Sequence, residues 1–215
     1  NIDVISSYDV LEHIYDIKKF FYELSLIKNN IILFFASAAN DKNPLINYRL
    51  QKLHKNFEKN DREIIKGRKP TDTTQSLLTL RTKIIKNTGI ELSNSEVDFL
   101  AKNTRGLLKD KIEQQAIYYS RNKKLLYVNP YKTNTCDPLT GNWFENLINQ
   151  EQLKTILFNL NYRNSIITNG YYDRLSINES KFKLLIKYFL NISISLLNKN
   201  GIFISPFYCL LTNTN

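Results

Sequence analysis

Apolar residues recur with two different spacings along this chain, and the alternation between them predicts its elements. Ile2 to Ser6 is rich in β-branched apolar residues, has the length of a buried strand, and ends on a polar cluster from Asp9 to His13. Asp16 is placed to cap a helix in which Ile17, Phe20, Phe21 and Leu24 form one stripe at i, i+3, i+4 and i+7. Ile31 to Phe35 is a second apolar run. Strand, helix and strand within residues 1–40 make a βαβ unit, with parallel strands and a right-handed crossover. In such sheets the chemistry collects at the carboxyl ends of the strands, here Ser6 to His13 and Ala36 to Asn40.

After the polar break at Asn40 to Pro44 the spacing turns helical. Ile46, Leu50, Leu53 and Phe57 form one stripe, and Leu77, Leu78, Leu80, Ile84 and Ile85 another, with a loop at Gly67 to Thr74 between them. Ser93 and Glu96 form a capping box, and a further helix passes through Leu108, Ile112, Ala116 and Tyr119. Residues 41–134 therefore read as a helical insertion between strands. TNTCDPLTGNW, Thr133 to Trp143, is the densest turn-forming stretch, followed by an amphipathic helix from Gln150 to Asn161. Ser165 to Tyr172 is a predicted strand, Phe182 to Leu197 a helix, and Gly201 to Leu211 a last strand that Pro206 interrupts.

Composition narrows the class. An apolar fraction of 42% excludes a disordered chain. Two cysteines, Cys136 and Cys209, are too few and too distant for a disulfide framework or a zinc site, which fits a cytoplasmic setting. The longest uncharged apolar run, Ile31 to Ala39, is about half the roughly 20 residues of a membrane span. A net charge of +10 opens a nucleic-acid reading, but the basic residues are scattered, and an overall Lys, Asn and Ile bias accounts for them better.

The segment DVISSYDVLEHIYD resembles the fourth strand and following loop of class I S-adenosylmethionine-dependent methyltransferases, with Leu11, Glu12, His13 and Asp16 at matching spacing. The D-P-x-T-G-N-W phrase followed by G-Y-Y is similar to a subset of those enzymes that carry a long helical insertion. The resemblance implies an α/β, Rossmann-like sheet of which this chain forms the C-terminal half, its last strand antiparallel beside the fifth. On that reading residues 1–40 and 135–215 belong to the core and 41–134 to the insertion or lid. It further implies S-adenosyl-L-methionine as cofactor and a small-molecule acceptor, with a hydroxyl as the candidate group. The family's glycine-rich turn precedes its fourth strand, and no G-x-G occurs here. With Asn at its start and no Met, the chain is expected to be the C-terminal part of a longer protein.

The same resemblance places Ser6, Ser7 and Tyr8 beneath the methionine part of the cofactor, or simply at a strand end. Asp9, Glu12 and His13 spell D-x-x-E-H, similar to the E-x-x-E-H that carries a divalent metal in ubiquinone-pathway O-methyltransferases. Without a metal, His13 and Glu12 are the candidate catalytic pair, imidazole being suited to proton removal near neutrality. His54 and Glu58 share a helix face at i and i+4, to pair with each other or to meet substrate. Asp137, Asn142 and Trp143 belong to a loop that either covers a substrate or is merely well ordered, and Tyr171 and Tyr172 either line a pocket or pack in the core. The alternative to an enzyme is a non-catalytic module of the same fold that binds nucleic acid or a protein partner.

Overall fold

The computed structural model describes residues 3–61, 74–127, 133–173 and 179–214. These divide into two compact units, Asn1–Leu50 with Leu147–Asn215, and Gln51–Asn146. The first is mixed α/β, with a four-stranded open sheet in the order β1 (Val4–Tyr8), β2 (Ile32–Ser37), β4 (Tyr208–Asn213), β3 (Arg163–Asn169). β1 and β2 are parallel, with Val4 opposite Ile32 and Tyr8 opposite Ala36. β4 runs antiparallel to both of its neighbours, Ser37 and Asn169 each facing Tyr208.

Period-two alternation assigns the faces. Ile5, Leu33, Phe35, Tyr208 and Leu210 point one way, toward α1 (Ile17–Ser25) and α6 (Gln150–Asn159), which contribute Phe21, Leu153 and Leu157 to the same core. Phe21 makes edge-on contacts with Phe35 and Tyr162, whose hydroxyl donates to the Phe21 carbonyl at 2.7 Å. The opposite face carries Val4, Tyr8, Ile32, Phe34, Ile166 and Leu211, all exposed among the described residues. Asp16 caps α1 as its sequence predicts, accepting from the Lys19 N–H.

The two later strands depart from their predicted bounds. β3 ends at Asn169 because the Gly170 N–H goes to the Phe207 carbonyl and the Ser205 hydroxyl, and Tyr172 turns away to bond with Asn191. A Cβ at Gly170 would meet the Phe207 ring at 2.3 Å, so only glycine passes here. The predicted strand from Gly201 begins only at Tyr208. Asn198 to Phe203 is a 3-10 turn instead, and Pro206, without an N–H, cannot start a ladder. α7 (Lys181–Leu197) precedes that turn.

Asn40 ties this connection to β2. Its amide donates to the Ile202 and Ser205 carbonyls at 2.9 and 3.0 Å, and its Oδ1 accepts from Gln150 at 3.1 Å and the Lys42 N–H at 3.2 Å. Asn43 adds a bond to the Ser205 carbonyl.

The second unit is helical: the end of α2 (Pro44–Lys59), then α3 (Leu77–Lys86), α4 (Asn94–Asn103) and α5 (Lys109–Asn122). Ile84, Ile85, Val97, Leu100, Ile112 and Ala116 make its core, and the Ser93–Glu96 capping box closes as expected. This unit is shifted from the predicted insertion of residues 41–134, because α2 is continuous across its start and residues 133–146 bond within it. The predicted loop at Gly67 to Thr74 lies outside the described residues except for Thr74. No helix among the described residues is long and apolar enough to cross a membrane.

Replacing Asn40 with Ala strips two carbonyls and the Gln150 amide of their buried partner. Urea unfolding is expected to show a loss of about 2–3 kcal/mol, whereas Asn56→Ala, on an exposed stretch of α2, leaves the midpoint nearly unchanged.

Candidate functional site

β1 and β2 end side by side, and their carboxyl ends hold an unusual set of buried polar groups. Asp9, just past β1, adopts φ 53°, a left-handed conformation that Asp tolerates better than most residues. The Asp9 N–H donates to the Ala36 carbonyl at 2.9 Å, and its Oδ1 accepts from the Ala38 N–H at 3.1 Å, so the two strand ends are bolted together. Leu11–His13 then forms a single 3-10 turn that buries Leu11 and Glu12 completely.

Neither Glu12 carboxylate oxygen has a hydrogen-bond partner among the described residues, and the same holds for Ser7 Oγ, Asp41 Oδ1 and the Tyr208 hydroxyl. Ser37, fully buried at the end of β2, faces both Glu12 and Tyr208. Burial is the main cause that lifts the Glu12 carboxyl to about 7. The neighbouring Asp9 adds to the rise, against the pull of the backbone and Ser37. Burial likewise raises Asp41 and Tyr208, with the charges of Glu12 and Asp41 holding the phenol further from ionisation. The result is an exposed carboxylate, Asp9, in front of a buried carboxyl poised to gain or lose a proton near neutrality.

Of the other residues that the sequence nominates in this unit, Ser6 and Tyr8 lie on the exposed face of the sheet, and Tyr8 meets Phe207 edge-on at 5.8 Å. Ser7 points to the buried side. His13 ends the 3-10 turn, half-buried, with its N–H on the Val10 carbonyl. No group of three or more His, Cys, Asp and Glu among the described residues is placed to hold a metal ion, so Asp9, Glu12 and His13 do not converge as a ligand set. Tyr171 is exposed, while Tyr172 donates its hydroxyl to the Ile204 carbonyl at 3.1 Å. Ser37, Asp41 and Tyr208 escape sequence reading. Ser37 and Asp41 look like an ordinary strand end and loop, and Tyr208 joins them only through the long-range pairing of β4.

The remaining nominated residues belong to the helical unit, and there they hold a loop. His54 is fully buried, and its Nε2 donates to the Glu145 carbonyl at 3.0 Å, which fixes the Nε2–H tautomer. Burial lowers its pKa, so the ring is neutral. The alternative pairing of His54 with Glu58 gives way to a stronger partner. Arg81 grips Glu58 with two nitrogens at 3.1 and 2.5 Å, and Thr135 and Arg105 join it. Burial alone would raise the pKa of Glu58, but these partners outweigh it and hold the carboxyl below its ordinary value.

The TNTCDPLTGNW loop folds back on itself through a Cys136–Trp143 bridge. The Asp137 carboxylate accepts from the Leu139 N–H at 2.8 Å, and Gly141 supplies the left-handed turn at φ 76°. Asp137 and Trp143 are buried and Asn142 is exposed, so of these three only Asn142 presents its side chain outward. Burial pushes the Cys136 thiol up to about 12, which leaves it unreactive.

No family model, curated protein or solved structure matches the chain.

Two titrations separate these carboxyls. A raised Glu12 contributes stability that is present below pH about 4.5 and lost as pH rises through 7. Glu12→Gln is therefore expected to flatten the decline between pH 5 and 8 and to gain roughly 2 kcal/mol at pH 8, read from urea curves at several pH values. Glu58 has the opposite sign, its contribution present above pH about 4.5 and lost as acid drives pH below that, through its lowered pKa. Glu58→Ala leaves Arg81 buried and unpaired, and an expected loss of about 3–5 kcal/mol at pH 7 is checked by the same method.

Proposed function

We propose that the chain is the strand-4-to-strand-7 portion of a class I methyltransferase fold and serves methyl transfer from S-adenosylmethionine to a small-molecule acceptor. The observation that carries this reading is the strand arrangement. An antiparallel last strand wedged between two strands of the opposite direction, with a carboxyl-bearing loop after β1, is the pattern that the family resemblance calls for. The orphaned Ser7 hydroxyl at the end of β1 fits a hydrogen-bonding role toward the methionine part of the cofactor, with Ser6 and Tyr8 beside it. When bound, the cofactor supplies an electrophilic methyl group on a sulfonium.

The chain's own residues then handle the acceptor. Asp9, exposed and held by the Ala38 N–H, receives an acceptor hydroxyl. Glu12 behind it shares the proton that the hydroxyl releases, because its carboxyl titrates to about 7, close to working pH. Glu12 has no exposed surface, so it acts through Asp9 as a proton store and does not touch substrate. Positioning of the acceptor against the methyl group does most of the catalytic work on this reading.

The deciding measurement is a calorimetric titration of S-adenosylmethionine into this chain and into the product of its complete reading frame. Binding by either supports the reading, and Ser7→Ala is then expected to weaken it about fivefold. Silence from both, with both folded, overturns it in favour of a non-catalytic module.

A further inference from the structure

A cavity lies in the sheet unit along β3, away from the strand ends of β1 and β2. It measures about 450 Å³, within the usual range for small-molecule sites. Three lysines reach it from three separate segments: Lys42 after β2, Lys154 on α6 and Lys199 on the 3-10 turn. Among the described residues Glu151 is the only acidic one in its lining, and it pairs with Lys154 at 3.3 Å. Lys199 closes no ion pair among the described residues, and Lys42 feels the Asp41 charge without closing one. Between the lysines the wall mixes polar Asn169 and Asn200 with an apolar strip. Ile166 and Phe203 are each about half exposed, at 50% and 51%, with Ile202 beside them.

Like charges lining one cavity repel one another, and the half-exposed Ile166 and Phe203 leave hydrophobic surface wet, two costs that one ligand would relieve together. We infer that this groove binds an anionic small molecule of mononucleotide size, its phosphate set among Lys42, Lys154 and Lys199 and a planar ring against Phe203. Lysine binds phosphate as a mobile point charge, which suits a site whose cations arrive on flexible stems. The inference is independent of the methyl-transfer reading, since none of these residues belongs to the Ser7–Glu12 cluster.

The test uses adenosine monophosphate as probe against the whole chain, by calorimetry and by amide chemical shifts. Expected are shifts confined to residues around Lys42, Lys154, Lys199 and Phe203, and binding at least about tenfold tighter than that of adenosine or of inorganic phosphate. Lys42→Gln and Lys199→Gln each weaken it about tenfold, Phe203→Ala reduces it to the level of inorganic phosphate, and the charge-matched Lys86→Gln on α3 changes nothing. Equal affinity for adenosine, equal loss on Lys86→Gln, or shifts gathered at Ser6 to Glu12 would overturn the inference. So would tighter binding of a mixed-sequence oligonucleotide with a steep salt dependence, which would make the face a nucleic-acid surface. The chemical shifts of the unmodified chain decide the matter even where a variant fails to fold.

Discussion

One strand running against its neighbours holds the sheet unit together. β4 pairs with β2 along six residues and with β3 on its other side, so it supplies both ladders at the sheet's centre. Its register decides chemistry as well as packing. Because side chains alternate, Tyr208 faces the same side as Leu210, and its pairing with Ser37 puts a phenol beside the end of β2. A slip by one residue would send Cys209 into that position and turn Tyr208 to the open face. The bonds of Asn40 and Asn43 to the 3-10 connection guard against that slip, since they fix where β4 can begin.

The groups at the strand ends then carry a cost that packing must sustain. A buried oxygen that pairs poorly costs on the order of 1–3 kcal/mol, and at Glu12 the pull of the backbone and Ser37 offsets only part of its desolvation. Proteins seldom keep such groups in a cluster, and Ser7, Glu12, Asp41 and Tyr208 are four in one unit. The left-handed Asp9, at φ 53°, is held by its surroundings as well as tolerated by its residue type. Those surroundings are the Ala36 carbonyl and the Ala38 amide. Poorly paired polar atoms and parallel strand ends thus fall at one place, which is why the proposed site is put there.

How much of this could be read from sequence depended on the range of the interaction. The βαβ opening, the Asp16 cap and the Ser93–Glu96 box are local, and each was legible because the residues that decide it lie within four positions of one another. Asp9, Glu12 and His13 stand as close in sequence and were singled out together, but the complete burial of Glu12 was not legible. Nor were Tyr208, Asn40 and Arg81, since their partners stand far away in the chain and nothing in their own neighbourhoods announces them. The late strands were misjudged at their ends because apolar residues continued past the point where backbone donors ran out. Gly201 to Phe203 reads as strand, yet a Cβ at Gly201 would meet the Ile194 carbonyl at 2.6 Å, a contact that belongs to a tight turn.

Two glutamates show why residue type alone could not assign roles. Glu12 and Glu58 are both withdrawn from water, and burial pushes both toward the neutral form. Glu58 meets a guanidinium that is itself buried and cannot be deprotonated, so the pair stays charged and its geometry is locked. Such a carboxylate is spent on structure: it holds Thr135 and the start of the turn-rich loop, and it has no proton to exchange near neutrality. Glu12 meets no cation. Its nearest charge is another carboxylate, and the energy that would have gone into an ion pair appears as affinity for a proton. A carboxyl in that condition is a poor structural element, and the acid–base role proposed for this chain falls to it because His54 and Glu58 are already engaged in the helical unit.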